Sequence, residues 1–180
     1  GLILDQDKKH IATGNIPDAA DILVTLQSAS KTFNMPGLGC AYAVVKNPIL
    51  RKKIKKIMNG IVHHVGALGF TATLAAYQNG KAWHSELIEY LRLNREQVEQ
   101  TLSPCDGLTV YHSEATYLTW IDARKMPVNN PSLYFEKFGV GLYDGAPFGA
   151  PGFLRLNYAC PNSILQEALK RIKSGLAELT

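Results

Sequence analysis

The sequence predicts an α/β protein whose first third alternates strands and helices and whose later part is a smaller α+β unit. Three observations support this class. Short apolar runs at residues 22–26 and 40–45 are typical of strands in a parallel sheet covered on both faces. Residues 67–102 have the composition and spacing of helices, and short strands separated by turn residues follow from residue 103. The 180 residues suffice for one domain plus part of another.

The helices of the first part have recognisable signals. Asn47-Pro48 predicts a helix start, because proline fits the first helical turn, and Gly60 predicts its end. Residues 67–78, rich in Ala and Leu, predict a buried helix. Residues 81–102 predict a long connecting helix with an apolar stripe and a charged face, including Arg95, in water.

The later part is predicted to contain strands near 108–111, 117–121 and 153–159, a short helix near 132–138 and a closing helix from 162 or 163. Side chains alternate between faces along a strand. The apolar face of the last strand is therefore formed by Leu154, Leu156 and Tyr158.

The start of the closing helix has its own signal. Ser163 with Gln166 predicts a capping box there.

Composition excludes several classes of protein. The chain is 46% apolar and 19% charged, as globular proteins are. No signal-peptide pattern opens the sequence, and no apolar run approaches the roughly 20 residues that span a membrane. Its three cysteines are widely separated, which argues against a disulfide framework or a zinc site and favours the cytoplasm. The adjacent pair His63-His64 lacks a third ligand, so no metal site is predicted.

A basic run at residues 51–56 admits two interpretations. It could bind nucleic acid or an anionic surface, or it could be the solvated face of a helix. Apolar residues recur within it at helical spacing, and no aromatic residues are interleaved. We therefore expect a solvated helix face and no nucleic-acid partner.

Lys31 is the first candidate for chemistry. It follows a predicted strand in a polar loop, and ligands of open α/β sheets bind beyond strand carboxyl ends. A partly desolvated lysine there can react with a carbonyl group, and Ser28 and Ser30 could donate to a phosphate. The alternative is a lysine that simply keeps its charge in solvent.

Arg155 is the second candidate. Alternation places it beside Asn157, opposite the apolar face of its strand. A charge in an apolar strand needs a partner. That partner is either a structural carboxylate of this chain or the carboxylate of a substrate, which a guanidinium can hold through two hydrogen bonds.

Two motifs resemble one enzyme family. The segment Ser28-Ala29-Ser30-Lys31-Thr32-Phe33-Asn34 resembles the cofactor-lysine segment of fold-type I pyridoxal-5′-phosphate (PLP) enzymes of the aspartate aminotransferase superfamily, and more narrowly the cystathionine β-lyase (carbon–sulfur lyase) group. The segment Gly152 to Ala159 resembles the family signature whose arginine binds the α-carboxylate. Residues 139–149 also resemble a loop of this family near the substrate entrance, where Phe148 could shape the pocket. Aminotransferases usually carry a phosphate-binding arginine where this chain has Gly39.

The resemblance implies a set of roles. PLP would be bound by Lys31, Ser28 and Ser30, with Lys31 also the catalytic residue, and Arg155 would bind an amino acid substrate. Residues 1–80 would be the end of the large, mostly parallel PLP-binding domain, 81–102 the connecting helix and 103–180 the small α+β domain. A homodimer with no membrane partner is expected.

The expected activity is cleavage of a sulfur amino acid to thiol, pyruvate and ammonia. The alternative enzymatic activity is that of an aminotransferase. The non-enzymatic alternative is that this chain is an isolated fragment that forms an inert folding unit. A fragment is expected because the chain starts at Gly1 and because the family's other cofactor-binding residues would lie upstream. Asp5 and Asp7 lie too close to Lys31 to be the aspartate of the cofactor ring and are expected on a surface turn.

Overall fold

A computed structural model describes residues 1–179, which form two compact units. We call residues 9–86 the lysine unit, and residues 1–8 together with the chain from Leu87 onward the sheet unit. The domain boundaries predicted from the resemblance stay a prediction. Among the described residues, no helix is both long and apolar enough to cross a membrane.

The lysine unit contains one two-stranded sheet and two helices. Strands β1 (Thr25–Ser28) and β2 (Ala41–Val44) pair antiparallel, with Thr25 opposite Val44 and Ser28 opposite Ala41. Helices α1 (Pro48–Met58) and α2 (Ala67–Asn79) follow. Asn47 caps α1 as predicted, because its side-chain oxygen accepts hydrogen bonds from the backbone N–H groups of Ile49 and Leu50.

Burial in the lysine unit differs from the prediction. β1 has no parallel neighbour within residues 9–86, and its Leu26 is 74% exposed. The predicted burial of α2 is also wrong for this chain, since Gly69 is its one buried residue and Phe70 is 60% exposed. A strand or helix that is apolar on every side needs cover on every side, and residues 9–86 do not supply it.

The basic run at residues 51–56 lies on α1, and its lysines are exposed, as expected of a solvated face. The apolar side of α1 is only partly covered: Leu50 and Ile54 are half-buried, whereas Ile57 is exposed.

The sheet unit is a four-stranded antiparallel sheet with helices. The elements are α3 (Lys81–Leu102), β3 (Thr109–Tyr111), β4 (Leu118–Asp122), α4 (Pro131–Glu136), β5 (Tyr143–Asp144), β6 (Phe153–Asn157) and α5 (Asn162–Ala177). The first residues of α3 belong to the lysine unit and the rest of the helix to the sheet unit. The strand order of the sheet is β3-β4-β6-β5.

One face of this sheet belongs to the core. Leu154 and Leu156 of β6 are buried in one apolar cluster with side chains of α3 and α5, and Tyr158 just beyond β6 is fully buried. The predicted alternation along β6 is thereby confirmed, because Arg155 between the two leucines is only half-buried. Burial raises the pKa of the Tyr158 hydroxyl.

The start of α5 differs from the predicted capping box. Pro161 is the N-cap and makes no side-chain cap, and Gln166 donates to the side-chain oxygen of Asn162 instead of pairing with Ser163. The backbone N–H of Asn162 donates to the Tyr90 hydroxyl at 2.7 Å. A partner on α3 thus replaces the local one.

Residues 1–8 also depart from expectation. Ile3 forms an antiparallel bridge with Ala115, and this pairing brings Asp5 beside Arg95 of α3. Arg95 is buried at 5% exposure, and its guanidinium donates to the Asp5 carboxylate. The predictions that Asp5 lies on a surface turn and Arg95 in water were wrong, since each residue supplies the charge that the other needs.

Candidate functional site

Lys31 lies in a tight turn that directly follows β1. The turn is closed by two backbone hydrogen bonds, from Phe33 N–H to Ala29 C=O and from Met35 N–H to Ser30 C=O, both 2.9 Å. Asn34 has a φ of 49°, a left-handed conformation that asparagine tolerates better than most residues. The turn therefore fixes the backbone on both sides of the lysine.

Packing of one aromatic ring anchors this turn. Phe33 lies edge-on to Tyr77 of α2 at 5.8 Å between ring centroids, and it stacks on Trp83 at 6.0 Å. A Cβ added to Gly80 would lie 2.6 Å from the Phe33 ring, so that glycine is needed for the close approach. The junction of α2 and α3 thus holds the segment that carries Lys31.

Ser28 and Ser30 lie together at the end of β1. Their hydroxyl oxygens are 2.6 Å apart, and the Ser28 hydroxyl also donates to the Cys40 carbonyl at 3.0 Å. The backbone N–H of Ser30 donates to the Ser28 oxygen at 3.1 Å. Hydroxyl hydrogens rotate, so both serines can turn to donate to an anion.

PLP needs an amine for its aldehyde and donors for its phosphate. Ser28 and Ser30 offer two hydroxyls close in sequence to Lys31, and Lys31 is exposed, so its amine is accessible. Gly39, where an arginine would strengthen phosphate binding, is a left-handed turn residue with φ 54° and no atom near its would-be Cβ. The described residues therefore fit the cofactor, with a phosphate held by neutral donors on this side.

Arg155 lies in the centre of the sheet unit's second face. On β6 it is opposite Trp120 of β4 on one side and Tyr143 of β5 on the other. Its guanidinium carbon is 4.6 Å from the centroid of the Tyr143 ring and 4.7 Å from that of Phe148. Phe148 in turn lies edge-on to Trp120 at 6.1 Å.

The structural ion pair considered for Arg155 is not formed within residues 1–179, where no ion pair includes it. The acidic residue on the same face, Asp122, pairs with Arg124 at 2.7 Å instead. The hydrogen bond from Arg124 lowers the pKa of Asp122 and so favours its ionised form. This carboxylate is already paired with Arg124 and does not contact Arg155 as an ion pair. Arg155 thus keeps its charge available for an external anion.

The loop between β5 and β6 is built around glycine. Gly145 donates its N–H to the Phe153 carbonyl at 2.8 Å, and a Cβ there would lie 2.3 Å from the Ala150 oxygen. A short 3-10 turn, Ala146–Phe148, then places Phe148 against Arg155. A contribution of Phe148 to a substrate pocket stays a prediction.

The sequence patterns described above did not indicate Tyr143 or Trp120 as neighbours of Arg155. The pairing register that places Tyr143 and Trp120 opposite Arg155 is non-local. An alternating β5 signal could have indicated Tyr143, but this strand has only two residues. No group of three potential metal ligands occurs within residues 1–179.

The chain belongs to the family described as aminotransferase class I and II, whose sequence profile matches residues 5–172. The predicted family and fold class are thereby confirmed. Cystathionine beta-lyase PatB of Bacillus subtilis (strain 168) is 34% identical over 178 residues, which cover 94% of this chain and 46% of that protein.

Solved structures of other proteins are also similar to this chain. The crystal structure of OvoB has a TM-score of 0.95 and 39% identity, over 97% of this chain and 46% of that one. The crystal structure of cystalysin from Treponema denticola, which contains pyridoxal 5′-phosphate, has a TM-score of 0.90 and 27% identity, over 99% of this chain and 47% of that one. The chain spans about half the length of these relatives.

Proposed function

We propose that this chain is part of a PLP-dependent carbon–sulfur β-lyase that cleaves a sulfur amino acid to thiol, pyruvate and ammonia. One observation carries the proposal. The turn after β1 carries Lys31 directly after two serines whose hydroxyl oxygens are 2.6 Å apart, in a sequence segment that resembles the cofactor-lysine segment of this group. The similarity to a cystathionine β-lyase and to PLP-containing cystalysin supports it.

The proposed roles follow from chemistry. Ser28 and Ser30 would donate to the phosphate, and Lys31 would hold the cofactor through its amine. Bound PLP supplies an electron-accepting ring that stabilises negative charge left on the substrate α-carbon. The Lys31 amine would also be the base that removes the α-proton of the substrate.

Arg155 would bind the α-carboxylate of the amino acid. A guanidinium without an ion pair inside residues 1–179 can accept this carboxylate without breaking an existing contact. Fixing the carboxylate orients the α-carbon–hydrogen bond relative to the base, which is the entropic part of catalysis. Loss of the sulfur substituent from the β-carbon then completes elimination.

The complete protein that contains this chain provides the test. Supplied with cystathionine and no keto acid, it should release pyruvate, and Lys31→Ala should abolish the release. An aminotransferase, the second candidate, is supported by the family to which the chain belongs. Amino acid turnover that requires an added keto acid would favour that candidate over the lyase.

Partners and location are part of the proposal. We infer a cytoplasmic homodimer, and His63 and His64, both exposed, are candidates for the subunit interface. The exposed apolar side chains of the lysine unit, such as Leu26 and Phe70, support the view that the active enzyme covers them with further polypeptide. On this view the 180 residues alone would be an inert folding unit.

A further inference from the structure

Arg155 is held by aromatic rings rather than by acidic residues. Tyr143 is its direct cross-strand neighbour, and Phe148 reaches it from the loop between β5 and β6. Both rings lie within 4.7 Å of the guanidinium carbon, measured to the ring centroid. At this distance a ring face attracts a cation while leaving the hydrogen-bonding edges of the guanidinium unused.

One edge of the guanidinium is closed. The Nε atom of Arg155 is buried and has no hydrogen-bond partner within the described residues. A carboxylate can contact an arginine either through Nε and one Nη or through both Nη atoms. Because Nε is covered, the first approach would require the surrounding side chains to move.

We propose that Tyr143 and Phe148 are positioning residues that fix the Arg155 guanidinium so that a substrate carboxylate binds at its two Nη atoms. The proposal rests on the function proposed above for Arg155. The rings supply attraction without competing for the Nη hydrogens, which an aspartate or glutamate in their place would occupy. They also limit rotation about the side-chain bonds, which lowers the entropy lost on binding.

Phe148 is itself supported, so the arrangement does not depend on one mobile ring. Its ring contacts Trp120 edge-on, and Trp120 stacks on Phe153 at 5.6 Å. Tyr143 is 64% exposed and Phe148 53%, so neither ring is needed to fill the core. Their replacement should therefore leave the fold intact.

The first experiment uses steady-state kinetics of the complete enzyme with cystathionine. Tyr143→Leu and Phe148→Leu should each raise KM about tenfold, the equivalent of about 1.4 kcal/mol, with kcat changed less than about threefold. Tyr143→Phe keeps the ring and should keep the KM. Leu133→Ala, at an exposed apolar residue of α4 away from these rings, is the control and should have no effect.

Arg155→Lys distinguishes the proposed carboxylate-binding role of Arg155 from the proposed positioning role of Tyr143 and Phe148. If it raises KM strongly while the leucine variants do not, Arg155 binds the carboxylate but the positioning role is wrong. If Arg155→Lys has no effect, the proposed function of Arg155 fails and the positioning role with it. If all three variants raise KM and Tyr143→Phe does not, the proposal is supported.

The second experiment observes the side chain directly. In 15N NMR spectra of the 180-residue chain, the buried Arg155 Nε–H should exchange with water more slowly than that of exposed Arg51, and Tyr143→Leu should remove the difference. In spectra of the complete enzyme with sodium acetate added, the Nη signals of Arg155 should shift more than the Nε signal. Fast Nε–H exchange, or a larger shift at Nε, would overturn the proposal.

Discussion

At the scale of single residues, charge pairing holds the start of the chain on the sheet unit. Arg95 also donates to the Ser113 carbonyl at 2.8 Å, and His112 lies between the carboxylates of Asp5 and Glu99, at 3.0 and 2.9 Å. The hydrogen bond with His112, followed by that from Arg95, lowers the pKa of Asp5. The hydrogen bond with Asp5 in turn raises the pKa of His112.

Asp5→Asn should destabilise the chain. It leaves the buried guanidinium of Arg95 without its carboxylate, and loss of one partner of a buried pair costs about 3–5 kcal/mol. The remaining Ser113 contact places the expected loss at the lower end, about 3 kcal/mol. Urea unfolding would measure it, with Asp7→Asn at an exposed position as the control. Equal stability of the two variants would contradict the role given to Asp5.

Stability should depend on pH through the same residues. The contribution of Asp5, whose pKa is lowered, is present above its usual value of 3.8 and is lost as pH falls through the lower folded value. The contribution of His112, whose pKa is raised, is present below its usual value of 6.5 and is lost as pH rises through the higher folded value.

The contribution of this group should therefore be largest between pH 3.8 and 6.5. Unfolding free energies measured across this range test it. His112→Gln should flatten the decline above pH 6.5. An unchanged decline in that variant would show that another residue causes it.

At the scale of elements, helix α2 supports the turn that carries Lys31. Gly69 is buried against the 3-10 turn Pro36–Leu38, and a Cβ there would lie 2.5 Å from the Leu38 carbonyl oxygen and 3.1 Å from Val65. The backbone oxygen cannot move away without shifting the turn. α2 thus contacts the turn that follows the Lys31 segment through Gly69, in addition to the packing of Tyr77 on Phe33.

Gly69→Ala should lower stability although alanine favours helix. The gain of about 1 kcal/mol in helix propensity is offset by overpacking of about 1–3 kcal/mol. Gly37→Ala, in the contacted turn but with open space around it, is the control and should be nearly neutral. Thermal unfolding of both variants tests this, and a stabilised Gly69→Ala would contradict the close packing.

Local signals explain which elements could be predicted. The cap of α1 depends on Asn47 and its immediate neighbours, and the two faces of β6 depend on alternation, so both were read correctly from sequence. The start of α5 and the pairing of Asp5 with Arg95 depend on residues far away in the chain. No local pattern specifies such partners.

The same distinction applies to the candidate site. Lys31, Ser28 and Ser30 are neighbours in sequence, and their arrangement could be anticipated from one motif. The rings around Arg155 come from three separate segments. Their arrangement follows from strand register, which the sequence of a two-residue strand does not define.

At the scale of the whole molecule, the two units differ in how well they bury their apolar residues. The sheet unit has a continuous buried core, whereas large apolar side chains of the lysine unit such as Ile22 and Leu68 are 83% and 75% exposed. An isolated chain with this surface lacks enclosed surroundings for Lys31, which is itself exposed.

The 180-residue chain alone should therefore bind PLP weakly. Two neutral hydroxyls and an exposed amine give few interactions to a charged phosphate and leave the bond at Lys31 open to water. When the 180-residue chain is titrated with PLP, its absorbance should show no saturable band that is absent from the same titration of Lys31→Ala. A strong band lost in that variant would show that these residues suffice for binding.

The most direct measurement for the central claim is borohydride reduction of the complete, PLP-loaded enzyme, followed by peptide mass spectrometry. Reduction makes a lysine–cofactor bond permanent, so the modified residue can be located. The account predicts a pyridoxyl group on the peptide that contains Lys31, and its absence after Lys31→Arg. Modification of a different lysine in the native enzyme would contradict the account.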